Sequence, residues 1–442
     1  MKNILVLGAG RSAVTLIKYL LDHSNPFDWR ITVADFSHNL AKKIVGNHPN
    51  AKAIFFNVND QIQREKEIAA SNIVISMLPA SMHILVAKDC LKFKKNLVTA
   101  SYVSDEIAAL DIAAKDAGVL FLNEIGLDPG IDHMSAMHVI DSIKEKDGKL
   151  ISFKSFCGGL VHPDYDTNPW NYKFTWNPRN VVLAGQGTAQ YIENSKYKYI
   201  PYNQLFERIK NLEVLDAGNF EAYANRDSLS YRLDYGLDDI STMYRGTLRR
   251  RGYSESWNVF VQLGMTDDSY KIENSDILTK REFIDLFLPY DDSMLVEDKF
   301  CKQFNITFDS DIFKKISWLG FFTDDKIGLK QATPAKLLQA ILEEKWILDS
   351  QDKDMIVMQH QFEYMQNGNL NKLNSSLVVF GDTPTYTAMA KTVGLPVAIA
   401  TKLILSGKID SVGVKIPTDK QVYLPVLKEL KENGINFVEE LV

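Results

Sequence analysis

The 442-residue chain reads as an α/β protein that opens on a parallel-sheet domain and continues into a second domain. Three observations carry that reading. An apolar run, Ile4-Leu5-Val6-Leu7, leads into Gly8-Ala9-Gly10-Arg11-Ser12-Ala13 and then into helix-spaced apolar residues Val14, Leu16, Ile17, Leu20 and Leu21. β-rich and helical stretches then alternate as far as Leu122, and beyond about Ile131 the pattern changes. A chain of this length is expected to form two or three domains with ample core.

Taken in order, Ile31–Ala34, Ala53–Phe56, Ile73–Ser76, Leu97–Thr99 and Val119–Leu122 read as strands, with helices around Asp60–Ala70, Met82–Lys92 and Asp105–Ala117. Crossovers of this length join parallel strands with right-handed connections. In such a sheet ligands bind beyond the carboxyl ends of the strands. Those ends are Met77-Leu78-Pro79, Ala100-Ser101-Tyr102 and Asn123 to Gly130. A helix, Ile131–Lys144, and a strand, Ile151–Phe156, come next, then a turn-rich stretch from Gly158 to Asn180. Phe220–Tyr223, Met243–Leu248 and Trp257–Leu263 look strand-like, and Asp276 to Gln366 reads as largely helical. After a strand at Leu377–Phe380, Thr383-Pro384 suits the cap and first turn of a helix past Ala388 and Met389, which Pro396 interrupts before Ala398–Leu405.

The opening turn is a Rossmann fingerprint in its proper context and implies a bound dinucleotide. Gly8 permits the tight turn, Gly10 lets a pyrophosphate approach the backbone, and Ala13 keeps helix and strand close. The helix N-terminus offers free N–H donors to the phosphates. The second strand ends in Asp35, where such a fold places the adenosine ribose. Two readings are open for it: an acceptor for the ribose hydroxyls, which prefers NAD over NADP, or a cap for the following helix. The next residues are Phe36, Ser37 and His38 rather than arginine, so NAD is the expected cofactor, with NADP the alternative.

Bulk composition narrows the class. A net charge of −6 argues against nucleic acid as a partner. The three cysteines, Cys90, Cys157 and Cys301, are widely spaced and show neither a disulfide framework nor a metal-site pattern, which fits a reducing compartment. Met1-Lys2-Asn3 runs directly into the first strand and no apolar run approaches bilayer length, so a cytoplasmic protein without membrane attachment is expected.

Chemistry concentrates at a few places. The stretch from Asn123 to His133 carries more glycine, proline and ionisable side chains than a connector needs. A helix N-terminus explains Asp132, but Asp128 is held extended by Pro129 at the sheet's carboxyl edge. Phe156-Cys157-Gly158-Gly159 ends a strand with paired glycines, fitting either close approach to a ligand or an ordinary turn. Asn225-Arg226-Asp227-Ser228 and Arg245 to Gly252 bring arginines suited to carboxylate capture. Alternation along a strand leaves two of the three consecutive arginines, 249–251, on a solvated face.

At these residues the chain resembles the glutamate-forming saccharopine dehydrogenase family. The resemblance rests on Asn123–His133, Ser155–Leu160, Asn168–Trp176, Asn225–Ser228 and Gly246–Arg249, and it runs essentially the whole length. It implies oxidation of saccharopine with NAD(P)⁺ and water to L-glutamate and 2-aminoadipate 6-semialdehyde, in lysine metabolism. The implied architecture is a Rossmann-type parallel-sheet domain over 1–127, rejoined by a C-terminal segment of about 385–442. An α/β substrate domain over 128–384 carries a mostly helical insert at about 276–366, and the usual assembly is a homodimer. Carried over by motif, the cofactor contacts Gly10, Arg11, Ser12, Asp35, Asn57, Val58, Leu78, Ala100, Ser101, Leu127, Asp128, Pro129 and Asn177. Saccharopine contacts Ser101, Tyr102, Asp128, Arg226, Thr247, Leu248 and Arg249. Its three carboxylates suit Arg226 and Arg249, while Asp128 and Tyr102 are placed for proton handling and Cys157 for lining the pocket. Two other readings stay open. One is a carboxynorspermidine or homospermidine type of enzyme on a related fold; the other is a non-catalytic NAD-binding scaffold.

Overall fold

The computed structural model describes residues 1–184 and 186–442. From the amino end, β1 (Lys2–Leu7), α1 (Val14–Asp22), β2 (Trp29–Asp35), α2 (His38–Val45), β3 (Ala51–Phe55), α3 (Gln61–Ala69), β4 (Ile73–Ser76), α4 (His83–Lys92) and β5 (Asn96–Val98) alternate strictly. Then come α5 (Asp105–Ala108), α6 (Asp111–Ala117), β6 (Leu120–Leu122), α7 (Ile131–Lys144), β7 (Lys149–Val161), α8 (Pro178–Val182), β8 (Ala189–Glu193), β9 (Lys196–Ile200), β10 (Lys210–Glu213) and β11 (Asn219–Ala224). The rest is α9 (Tyr231–Asp234), β12 (Thr242–Arg249), α10 (Tyr253–Gln262), α11 (Lys280–Asp285), α12 (Val296–Phe304), α13 (Asp311–Trp318), α14 (Pro334–Trp346), β13 (Asp354–Gln366), β14 (Asn369–Phe380), α15 (Ala388–Leu405), β15 (Gly413–Lys415), α16 (Lys420–Glu432) and β16 (Val438–Leu441).

Two compact units result. The first comprises Met1–Leu150, Tyr364–Asn371 and Leu377–Glu440; the second holds Ile151–Glu363, Lys372–Ser376 and Leu441–Val442. The first unit therefore runs through α7, past the Leu127 at which the sequence reading ends its first domain.

The first unit is built on a seven-stranded sheet in the order β15-β6-β5-β4-β1-β2-β3, parallel throughout. Its central strands are apolar on both faces; all of β4 and most of β1 are buried, as a sheet covered by helices on both sides requires. Short polar residues start the crossover helices, with the Ser37, Asp60 and Ser104 side chains accepting from Leu40, Gln63 and Ile107 N–H. The order reverses beside β1, between β4 and β2, which is the switch point where such sheets bind ligands.

The second unit is built on a nine-stranded mixed sheet in the order β10-β11-β12-β7-β13-β14-β16, with the β8–β9 hairpin joined to β12. β12 lies parallel to β7 and antiparallel to β11. Between β12 and β13 the chain forms α10 to α14, whose apolar faces bury Trp257, Phe260, Phe283, Phe300, Ile316 and Trp346.

Five local expectations fail here. Trp257–Leu263 is not a strand but part of α10. Trp257, Val259, Val261 and Leu263 alternate as a strand would, yet Tyr253, Trp257, Phe260 and Val261 also follow helical spacing, and the helix buries all four. The helical section ends at Trp346, and Asp354–Gln366 is a long strand. Thr387, not Thr383, caps the late helix by accepting from Ala390 N–H. That helix also runs unbroken through Pro396. At 18 residues α15 is long and apolar enough to cross a membrane by length and composition, contrary to the expectation that no such run exists. It is mostly buried within the first unit.

Close contact between α15 and α1 explains Gly394. A Cβ there would lie 2.8 Å from the backbone nitrogen of Leu16 and 3.2 Å from the Ser12 carbonyl oxygen. Gly394→Val is expected to lower unfolding stability by about 1–3 kcal/mol through overpacking, read from urea denaturation.

Candidate active site

The turn after β1 is shaped by contacts on one side and open space on the other. Gly8 adopts φ +99°, and a Cβ on it would sit 2.8 Å from the carbonyl oxygen of Met77. At Gly10 a Cβ would meet nothing within 4 Å, so the backbone faces free volume at the head of α1. A single tight turn, Arg11–Ala13, leads into the helix; Ala13 is buried and donates to the Gly10 carbonyl at 2.9 Å, while Arg11 is exposed. This arrangement fits a dinucleotide pyrophosphate.

Asp35 closes the turn. One carboxylate oxygen accepts from Ala9 N–H and the other from Ser37 N–H, both at 2.7 Å. Asn57 and Val58 follow β3, where the Asn57 carboxamide accepts from Asn59 N–H and the Val58 carbonyl accepts from the buried Arg64 guanidinium. Phe36 and Phe55 stand exposed beside them with ring centroids 5.4 Å apart. Sequence reading passed over this pair, which adjacent aromatics at two strand ends could have signalled. A cavity of about 330 Å³ lies at the opposite, amino-terminal ends of β1 to β3, lined by Asn3, Arg30 and Asn50 among others, and none of the candidate residues reaches it.

The loops after β5 and β6 are tied into one body. The Glu124 carboxylate accepts from Val103 N–H at 2.9 Å and meets His133 Nε2 at 2.9 Å, all inside the protein. Glu124 N–H donates to the Ser101 carbonyl, and Ile125 N–H to that of Thr99. The loop then closes on itself: Gly126 N–H donates to the Pro129 carbonyl, Ile131 N–H to Gly126, Asp132 N–H to Leu127, and Gly130 N–H to the Asp132 carboxylate. A Cβ on Gly130 would fall 2.2 Å from Gly126 backbone atoms. From Val119 to Met137 every residue is buried except Asp128, which is half-buried. Leu127 and Pro129 are therefore structural neighbours that present Asp128; Ala100, Ser101 and Tyr102 lie on the adjoining loop, Tyr102 exposed.

A buried histidine behind this edge escaped sequence reading. His83, the first residue of α4, meets Ser76 Oγ at 2.8 Å through Nδ1 and Ser101 Oγ at 2.7 Å through Nε2. Burial pushes its pKa down to about 4. A lone histidine seven residues past a strand end carries no periodic or motif signal.

The second unit brings Cys157, Thr247 and Arg249 to one sheet face and leaves the other candidates elsewhere. Cys157 on β7 pairs in register with Thr247 on β12, and Thr247 with Tyr223 on β11. Arg245 and Arg249 project from the same side of β12 as Thr247, and both are buried. The Arg249 guanidinium lies 5.0, 5.6 and 5.2 Å from the ring centroids of Tyr172, Tyr223 and Tyr253. It donates from Nη1 to the Leu248 carbonyl at 2.9 Å, while its buried Nε finds no acceptor. Leu248 is fully buried on the other face of the strand. Arg226 is exposed on a loop stitched to β12, where Asn225 N–H donates to the Arg245 carbonyl and Arg245 N–H to Ser228 Oγ. Asn177 is exposed and caps α8 by accepting from Arg179 N–H. Two of three consecutive arginines were expected in solvent; only Arg251 is exposed, because Arg250 stacks over Phe220 at 4.5 Å and donates to the Ala217 carbonyl.

A glycine turn open at the head of α1, a rigid acidic loop at the sheet's carboxyl edge and buried arginines on a second sheet define an NAD(P)-dependent oxidoreductase. Comparison with known proteins gives the family. Residues 4–122 match the model of the saccharopine dehydrogenase NADP binding domain, and 126–435 that of the saccharopine dehydrogenase C-terminal domain. A Schizosaccharomyces pombe protein named saccharopine dehydrogenase [NADP(+), L-glutamate-forming] is 34% identical over 451 residues, covering 100% of this chain and 99% of that protein. The mitochondrial alpha-aminoadipic semialdehyde synthase of Bos taurus is 34% identical over 99% of this chain and 48% of its own length. The apo structure of the L-Glu-forming saccharopine dehydrogenase of Saccharomyces cerevisiae superposes with a TM-score of 0.90 at 33% identity over all of both chains. The chain belongs to the saccharopine dehydrogenase family, whose members act on a CH–NH group. Homospermidine synthase of Legionella pneumophila, at 9% identity and a TM-score of 0.59, shares the fold alone.

The comparisons also overturn the NAD preference. The matching model is of an NADP binding domain, and the S. pombe, Pyricularia oryzae and S. cerevisiae relatives are named for NADP(+). Asp35 misled because its carboxylate is engaged by Ala9 and Ser37 N–H groups, closing the turn, so its presence reports on the turn before it reports on a ribose.

His83 carries a pH signature. Its folded-state pKa lies below the ordinary value of 6.5, so as pH falls the unfolded chain takes up a proton that the native state refuses. Its contribution to stability is intact above pH 6.5 and is lost progressively between 6.5 and about 4, by on the order of 3 kcal/mol in total. Urea unfolding of His83→Gln at several pH values is expected to show a shallower loss across that window than the parent chain.

Proposed function

We propose that this chain oxidises saccharopine with NADP⁺ and water, releasing L-glutamate, 2-aminoadipate 6-semialdehyde, NADPH and a proton. Full-length similarity to relatives named for that reaction supports this reading over the homospermidine-type enzyme, which shares only the fold. The observation that carries it within the molecule is the isolation of Asp128 as the accessible carboxylate on an otherwise buried, self-closed loop.

The dinucleotide, bound along Gly8 to Ala13, supplies the hydride acceptor. Gly10 gives the pyrophosphate room, and exposed Arg11 offers a cation to a phosphate. Asn57, Val58, Leu78 and Ala100 border the same strand ends, and Asn177 completes the contacts carried over from the family. Asp128 takes the proton from the secondary amine of saccharopine, which frees the nitrogen lone pair as hydride leaves the adjacent carbon. Water then adds to the resulting imine and the carbon–nitrogen bond breaks, with Asp128 and Tyr102 returning protons. Arg249 and Arg226 bind substrate carboxylates, with Thr247 and the Leu248 backbone as further contacts on the second unit and Ser101 as one on the first. Cys157 sits in register with Thr247 and lines the substrate side. Arg249 suits that role physically: aromatic faces hold a desolvated guanidinium in charged form, while an Nε donor stays without an acceptor. Three buried cysteines with no disulfide among the described residues fit a reducing cytoplasmic setting, and a homodimer is the assembly proposed.

Initial rates with saccharopine are expected to be higher with NADP⁺ than with NAD⁺. Turnover of carboxynorspermidine but not saccharopine would overturn the substrate. Asp128→Asn is expected to lower kcat/KM by roughly 10²–10⁴-fold while NADPH still binds; near-normal hydride transfer across the pH range would remove Asp128 as the base. Arg249→Lys keeps the charge but loses the planar fork, and should lower kcat/KM for saccharopine by about 1.5–3 kcal/mol, seen mainly as a raised KM.

A further inference from the structure

The row of three side chains behind the first unit's carboxyl edge has a direction, set by counting donors. Among the described residues Ser76 Oγ, on a fully buried residue, has one hydrogen-bond partner, His83 Nδ1 at 2.8 Å. If Nδ1 carried the proton and donated to Ser76, the Ser76 O–H would be left inside the protein with no acceptor. A buried hydroxyl so stranded costs about 1–3 kcal/mol. The arrangement that satisfies every donor has the Ser76 O–H donating to Nδ1, the imidazole neutral, and Nε2–H donating to Ser101 Oγ at 2.7 Å. Burial keeps it neutral at pH 7. Ser101 Oγ then acts as acceptor toward His83, and its own proton is directed away, toward the half-buried side of the residue.

We propose that His83 is a positioning residue that fixes Ser101 as an outward hydrogen-bond donor, so that the ligand atom meeting the Ser101 proton is an acceptor, such as an oxygen of a carboxylate, carboxamide or phosphate, and not the N–H of a protonated amine. The proposal deepens the reading of Ser101 as a ligand contact and rests on it for its functional consequence. It extends that reading by adding His83 and Ser76 to the site and by excluding the substrate's nitrogen, in its protonated form, as the partner of the Ser101 proton. Reversal of the chain, with Ser101 donating inward, would make the same serine a receptor for N–H groups.

The direction is tested on the unaltered protein by ¹H–¹⁵N correlation of [¹⁵N]histidine at pH 7, with the His83 signals assigned by their loss in His83→Gln. The expected pattern is a neutral ring protonated at Nε2 and bare at Nδ1; an Nδ1–H tautomer or an imidazolium overturns the proposal without touching the proposed reaction. Two arms then locate the acceptor oxygen. NADPH fluorescence titration and the KM for saccharopine are measured for Ser101→Ala, His83→Phe and the double variant. About a 10-fold weakening is expected in one arm for each single variant, with no further loss in the double variant and recovery in His83→Gln, whose amide supplies one acceptor and one N–H donor. Weakened NADPH binding assigns the oxygen to the dinucleotide, and a raised saccharopine KM assigns it to the substrate. Single-variant losses that add up in the double variant would overturn the coupling. A Ser101→Ala variant unchanged in both arms would sink the ligand contact itself while leaving the tautomer result standing.

Discussion

Where Gly126 and Gly130 meet, two stretches of backbone touch with no room for a side chain, and the first unit's site depends on that contact. A Cβ on either residue would collide, at 2.9 Å with Ala100 in one case and 2.2 Å with the facing backbone in the other. Backbone hydrogen bonds inside the loop and the Glu124 carboxylate outside it leave few degrees of freedom. The consequence is chemical as well as mechanical. A loop that buries everything else on both sides has one polar group to offer, the half-buried Asp128 carboxylate. A loop fixed in this way lowers the cost of orienting Asp128 in the role of base proposed for it.

The second unit solves a different problem, keeping guanidinium groups charged inside a β-sheet. Arg249 answers with three tyrosine rings, and its protonated form is favoured although burial alone opposes it. Arg245 adds a fourth ring, lying 4.7 Å over Tyr231. Glu221, the cross-strand neighbour of Arg249, gives its carboxylate to the N–H groups of Gly252 and Ser254 instead, fixing the start of α10. Aromatic faces stabilise a cation without neutralising it. A carboxylate partner within the sheet would hold the arginine too, but would leave less of its charge for an anionic ligand.

Much of this was legible in the sequence, and the boundary between what was and was not is physical. Parallel strands announced themselves because residues buried on both faces leave uninterrupted apolar runs, as at Ile73–Ser76. The Asn123–His133 loop stood out because glycine and proline there are demanded by contacts. The misreadings arise where one local pattern serves two geometries. Trp257 to Leu263 fits both a strand and the back half of a helix, and only the upstream Tyr253 decides. Pro396 reads as a break, yet tertiary packing carries α15 through it. His83 was invisible because its partners, Ser76 and Ser101, come together only through the sheet.

Asp35 shows most sharply how residue type underdetermines role. A carboxylate at the end of the second strand is compatible with a ribose, a helix cap or a turn, and each calls for the same oxygens. Here the following helix takes its cap from Ser37, while Asp35 reaches back to Ala9 and forward to Ser37 N–H. Its negative charge is thereby spread over two backbone dipoles, which lessens the repulsion that an added phosphate would meet. A carboxylate at this position therefore does not by itself exclude NADP.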